Sequence, residues 1–150
     1  VRIFETHLRP GGDAITQMLA LARGIDLYGL LARQCLGEKI LGPARRAVES
    51  ARSIPFHAAI WHARPGEPGV LKAVEGLEEA AAMEGVWEVK LLAEIGQELG
   101  AVLADSDSRP AYAWAVGDTP EQALAQARAA IGRLVFVTAP EAGVSRHHGS

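Results

Sequence analysis

An α+β domain, with a mostly antiparallel sheet and flanking helices, is the fold class this sequence predicts, and three observations lead there. Strand-like segments recur at 54–61, 70–74, 86–93, 100–104, 111–116 and 133–137, with a period of two from Ile54 to Trp61. Stretches of helical spacing bounded by cap residues precede or separate them, near 13–24, 26–37 and 119–131. Polar turn chemistry, as in Arg64-Pro65-Gly66-Glu67-Pro68-Gly69, joins strands that read as antiparallel neighbours.

The elements follow in order. Residues 1–8 alternate as a strand until Arg9-Pro10-Gly11-Gly12-Asp13 breaks it. Asp13 is a suitable N-cap, and Ile15, Met18, Leu19 and Ala22 recur at helical spacing up to Gly24. Asp26 caps a second helix that ends before Gly37, with Cys35 expected as a packed core thiol. Residues 38–53 read as a short polar helix from Pro43 or as a mobile connector. Strands 54–61 and 70–74 come next, then an alanine-rich helix over 75–83, whose Glu75, Glu78 and Glu79 form, with Glu84, a solvated face. After the strands at 86–93 and 100–104, Asp105-Ser106-Asp107-Ser108-Arg109 makes a polar hairpin tip before strand 111–116. Thr119 as N-cap and Pro120 at the first helical position open a helix to about Ile131, and the strand 133–137 closes the domain. Trp61, Trp87 and Trp114 all fall on strands, as sheet-packing residues.

Composition narrows the function. The 150 residues are 49% hydrophobic and 22% charged, enough for a real core and too apolar for a disordered chain. No apolar run approaches the ~20 residues of a membrane helix. A net charge of −3 gives no general attraction to nucleic acid or anionic lipid, so neither is expected as a partner. The single cysteine rules out an intramolecular disulfide framework and fits a reducing, cytoplasmic setting. With no initiator methionine and a start inside a strand pattern, the chain reads as part of a longer protein. His57 and His62 fall on opposite faces of a strand and make a poor metal pair, and Asp105 and Asp107 lack the glycine and distal glutamate of a calcium loop.

One segment concentrates chemistry. On a strand, Glu5, His7 and Arg9 are spaced by two and share a face. Such a row can hold a divalent cation through Glu5 and His7 beside an anion clamp at Arg9, and Gly11-Gly12 then leads into a helix N-terminus that favours an anion. The same residues also suit a solvated strand edge followed by an ordinary glycine turn.

Glu5-Thr6-His7-Leu8-Arg9-Pro10-Gly11-Gly12-Asp13, followed by Gly24-Ile25-Asp26-Leu27, resembles the end of the ATP-grasp domain of carboxylate–amine ligases, where the pattern runs roughly E-x-N-x-R-x-G-G, a helix, then G-[IV]-D-L. Ala63-Arg64-Pro65-Gly66, Lys72 to Glu79, Asp105 to Arg109 and Gly117 to Ala123 are similar, in order, to the C-terminal lobe of amino-acid (dipeptide-forming) ligases. The resemblance implies three parts: the end of the ATP-grasp domain over 1–53, the C-terminal α+β lobe over 54–144, and a flexible tail over 145–150. It implies Glu5 and His7 as metal residues for Mg²⁺ in the presence of ATP, His7 standing where the commoner pattern has Asn. Arg9 and His7 would be catalytic, and Gly11, Gly12 and Arg9 would bind substrate. The implied reaction joins a small carboxylate to an amine through an acyl phosphate. The upstream lysines of such an enzyme have no counterpart here, since Lys39, Lys72 and Lys90 lie in no glycine-rich loop. The resemblance therefore implies the remainder of the ligase as partner, and a chain inactive alone. The alternative is a non-catalytic binding or dimerisation module with the same lobe fold, a homodimer formed through an exposed sheet edge.

Overall fold

A computed structural model of the chain describes residues 11–12, 14–51, 56–64, 66–100 and 108–140. The chain divides into two compact units, Val1–Ala58 and Ala59–Ser150. The described part of the first is helical. Helix α1 spans Ile15–Arg23 and ends where Gly24 turns left-handed at φ 64°, its N–H bonded to the Ala20 carbonyl. Its N-cap is Ala14, itself left-handed at φ 60° and without a side-chain cap bond, so the expected Asp13 cap is displaced by one residue. Helix α2 spans Leu27–Cys35, and Asp26 caps it as its type and position require: Oδ1 accepts from the Gly29 N–H at 2.8 Å. A cap of this kind contributes about 1 kcal/mol. Helix α3 spans Leu41–Ala51 and takes Pro43 in its first turn, so the stretch that read as a short polar helix or a connector is eleven residues of helix.

The second unit carries two three-stranded sheets, the first β1 (His57–His62, entering from the unit boundary), β5 (Ala111–Gly117) and β3 (Val86–Leu91) in that order. The second is β4 (Glu98–Leu99), β2 (Gly69–Glu75) and β6 (Val135–Ala139). Pairings β2/β4, β2/β6 and β3/β5 are antiparallel, which bears out the expected fold class. Two bulges interrupt them. Opposite β6, Lys72 is the extra residue between Leu71 and Ala73. Opposite β5, the extra residue is Trp87, between Val86 and Glu88. The bulge explains why Trp87 is 63% exposed instead of packing on the sheet.

Helix α4 (Leu77–Ala81) is shorter than the alanine-rich stretch suggested, because Glu75 pairs with Val135 in the sheet and Gly76, at φ 82°, turns the chain. Helix α5 (Pro120–Ile131) begins and ends as the sequence predicts, with Thr119 Oγ1 accepting from the Gln122 N–H at 3.1 Å. Its Ala123, Ala127 and Ala130 recur at i, i+4 and i+7 and are fully buried. On β5, Ala111, Ala113 and Ala115 alternate along the strand and are fully buried as well. Ala80, Ala111, Ala113 and Ala130 lie in one core with Ala63 and Leu134, lined further by Val74 and Phe136 of the second sheet. A smaller core of Leu71, Ala93 and Leu99 shares Val74 and Phe136. Where methyl groups are the only side chains, helix and sheet can approach closely.

Candidate functional site

Glu5, His7 and Arg9 lie outside the described residues. The segment that follows them is described from Gly11 onward. Gly11 and Gly12 are exposed, and the Gly12 carbonyl accepts from the Ile15 N–H at 3.1 Å. A Cβ on Gly12 would meet nothing within 4 Å, whereas one on Gly11 would touch the Ile15 side chain at 3.4 Å. The left-handed turn into α1 is made by Ala14, so the glycines leave open backbone beside the helix start while the alanine carries the conformation.

A second polar arrangement crosses the first sheet on the face turned away from the alanine core. Because Ala111, Ala113 and Ala115 share one face of β5, Tyr112 and Trp114 lie on the other, and the β3/β5 register sets Lys90 opposite Tyr112 and Glu88 opposite Trp114. Tyr112 donates its hydroxyl to Glu88 Oε2 at 3.1 Å. Its ring stacks on Trp114 at 5.8 Å between centroids and meets the His62 ring edge-on at 6.1 Å. Arg109 Nη1 lies 3.4 Å from His62 Nε2, which accepts if that nitrogen is the unprotonated one. Burial, and then the hydrogen bond and the negative charge of Glu88, raise the Tyr112 pKa above the ordinary phenol value. Trp114 is 92% buried, the complement of its 8% exposure, and its indole N–H has no partner among the described residues. On the opposite side of β1, the Arg128 guanidinium lies 4.1 Å over the Trp61 ring and ties α5 to the sheet. Residue types alone gave no sign of this network. It depends on register, and only the alternation of alanine with aromatic residues along 111–115 hinted at it.

The remaining candidates resolve simply. Cys35 is exposed at the end of α2, against the expectation of a packed thiol: Leu27, Leu30 and Leu31 are half-buried, but no residue of that helix is fully covered. Glu75, Glu78, Glu79 and Glu84 are exposed, as read. Asp105 and Asp107 lie outside the described residues. Among the described residues no group of three or more His, Cys, Asp or Glu could hold a metal ion. Two shallow clefts, of about 400 and 390 Å³, open around Val48 of α3, one beside Arg23 and Ile25 and the other beside Ala44 and Arg45. Neither gathers a catalytic set. Among the described residues no helix is long and apolar enough to cross a membrane.

A family model described as L-amino acid ligase C-terminal domain 2 matches residues 62–139, just over half of the chain. The chain belongs to the L-amino acid ligase C-terminal domain 2 family. Its matched segment begins at His62 and encloses Glu88, Arg109, Tyr112 and Trp114, so the whole polar network is part of the family domain. The fold is similar to the crystal structure of L-amino acid ligase from Bacillus licheniformis, with a TM-score of 0.67 and 17% identity over 86% of this chain and 32% of that one. It is also similar to phosphoribosylglycinamide synthetase from Anaerococcus prevotii, with a TM-score of 0.66 and 12% identity over 85% of this chain and 31% of that one. The recognised resemblance to the C-terminal part of an ATP-grasp carboxylate–amine ligase is borne out. The chain spans about a third of the length of these ligases. A match over 86% of the chain is more than Ala59–Ser150 can supply, so it reaches into the helical first unit. No curated protein sequence matches significantly.

Proposed function

We propose that the chain is the C-terminal part of an ATP-dependent ligase that joins a small carboxylate to an amine, forming an amide or peptide bond. The observation that carries this reading is the family match over 62–139 together with a fold likeness that extends into the first unit. Residues 1–53 are then the end of the ATP-grasp domain and 54–144 its C-terminal lobe.

In this reading Glu5 offers a hard carboxylate oxygen suited to Mg²⁺, with His7 beside it as the second metal-side residue. When bound, Mg²⁺ neutralises phosphate charge. Arg9, a planar guanidinium with paired donors, steadies the acyl phosphate formed from the substrate carboxylate and the charge that develops as the amine displaces phosphate. Gly11 and Gly12 leave backbone N–H groups open at the start of α1, where the helix dipole favours a carboxylate. The work asked of these residues is positioning and charge neutralisation. The lysines that grip the nucleotide are supplied by the remainder of the ligase, so the chain alone is inactive, and the enzyme works in the cytoplasm on small amine and carboxylate substrates.

Amino-acid-dependent release of ADP by the full ligase polypeptide containing this sequence tests the reading. Glu5→Ala in that protein should lose at least about 100-fold in turnover while the fold persists. Near-normal turnover would remove Glu5 from the metal site. A parent protein that releases no ADP with any amine and acid pair would favour the non-catalytic module.

A further inference from the structure

We propose that the free edge of β3 is a dimer seam, at which a second copy of this chain adds its own β3 antiparallel to the first. The proposal stands apart from the ligase reading. In the order β1-β5-β3 the last strand has a neighbour on one side, and among the described residues no strand pairs with its other side. The backbone there is set for pairing. The Leu92 N–H bonds the Pro110 carbonyl, and the same register sets Lys90 opposite Tyr112 and Glu88 opposite Trp114. Antiparallel pairs alternate between bonded and non-bonded, so Glu88, Lys90 and Leu92 direct their backbone groups to β5. Val89 and Leu91 occupy the alternate positions and turn their N–H and C=O groups to the open edge.

Side-chain charge selects both the occupant and the register. Two identical antiparallel strands meet about a two-fold axis, and residues directly opposite each other share a face. With the axis at Glu88 two carboxylates meet, and with the axis at Lys90 two ammonium groups do. With the axis at Val89, Glu88 of each copy lies opposite Lys90 of the other, once on each side of the axis. Val89 then exchanges both backbone bonds with its counterpart, so the Glu88–Lys90 pairs fall at the non-bonded positions, where side chains approach most closely. An edge lysine ordinarily discourages strand addition. Here a partner strand with Glu88 at the matching position neutralises it. The same register brings Trp87, 63% exposed on its bulge, to the seam across from Leu91 of the second copy. The two three-stranded sheets become one continuous sheet.

Sedimentation equilibrium of the 150-residue chain, taken to about 1 mM, should show the mass rising from 15.9 kDa toward twice that value. Lys90→Glu and Glu88→Lys should each stay monomeric, because like charges then meet on both sides of the axis. An equimolar mixture of the two variants should dimerise again, since each strand then offers the charge that the other lacks. Lys90 is exposed, so Lys90→Glu leaves the fold intact by circular dichroism and also serves alone. In the parent, the Val89 and Leu91 amide protons should exchange at least about tenfold more slowly at high than at low concentration, and in Lys90→Glu at one rate throughout. A parent that stays monomeric over the whole range overturns the seam. So does a dimer that Lys90→Glu leaves intact, a mixture of the two folded variants that stays monomeric, or Val89 and Leu91 exchange indifferent to concentration.

Discussion

At the scale of single residues, Tyr112 has the best-defined electrostatic position in the second unit. Burial, the hydrogen bond to Glu88 and the nearby negative charge all favour its neutral form. The folded chain holds the phenol proton more tightly than the unfolded chain does. The associated stability is fully present below the ordinary tyrosine pKa of about 10 and is lost as pH rises through the raised value. Urea midpoints should therefore fall more steeply above pH ~10 in the parent than in Tyr112→Phe, which has no proton to lose. Equal falls would show that the phenol is not coupled to folding. Glu88 and Tyr112 could not be joined from the sequence, because a cross-strand pair needs the register and the Trp87 bulge shifts that register by one residue.

At the scale of elements, the punctuation carries most of what could be read beforehand. Gly24, Asp26, Gly37 and Thr119-Pro120 mark real helix ends, since each acts through its own backbone or its nearest turn. Burial was less legible: Cys35 is exposed because what covers a helix is decided by distant parts of the chain, and Trp87 because it is the extra residue of a bulge. The candidate site residues Glu5, His7 and Arg9 were suggested by their spacing on a strand and by a motif resemblance, and they lie outside the described residues. Gly76 is the element joint with the sharpest test. At φ 82° it leaves β2, and a Cβ there would run into the Arg133 carbonyl before β6. Gly76→Ala should cost about 1–3 kcal/mol in denaturant unfolding. Gly66→Ala, with open space at that position, should cost little by the same measurement. Equal costs would mean that neither the conformation nor the close approach matters.

At the scale of the whole molecule, the proposed division of labour has a thermal consequence. A ligand stabilises only the protein that holds its site. ATP with Mg²⁺ at a hundred times its Kd should therefore stabilise the full ligase by about 2.7 kcal/mol, raising its Tm, and leave the Tm of the 150-residue chain unchanged. A shift in the short chain would locate nucleotide contacts within it and refute the dependence on the remainder.

The alanine layer between α5 and β5 sets a mechanical property of the second unit. A methyl group has no rotamers, so this layer costs no side-chain entropy to assemble and cannot rearrange to refill space once it has formed. Hydrostatic pressure acts chiefly on internal voids. A layer that includes the fully buried Ala113, Ala115, Ala123 and Ala127 should offer it few of them and make this part of the fold hard to compress.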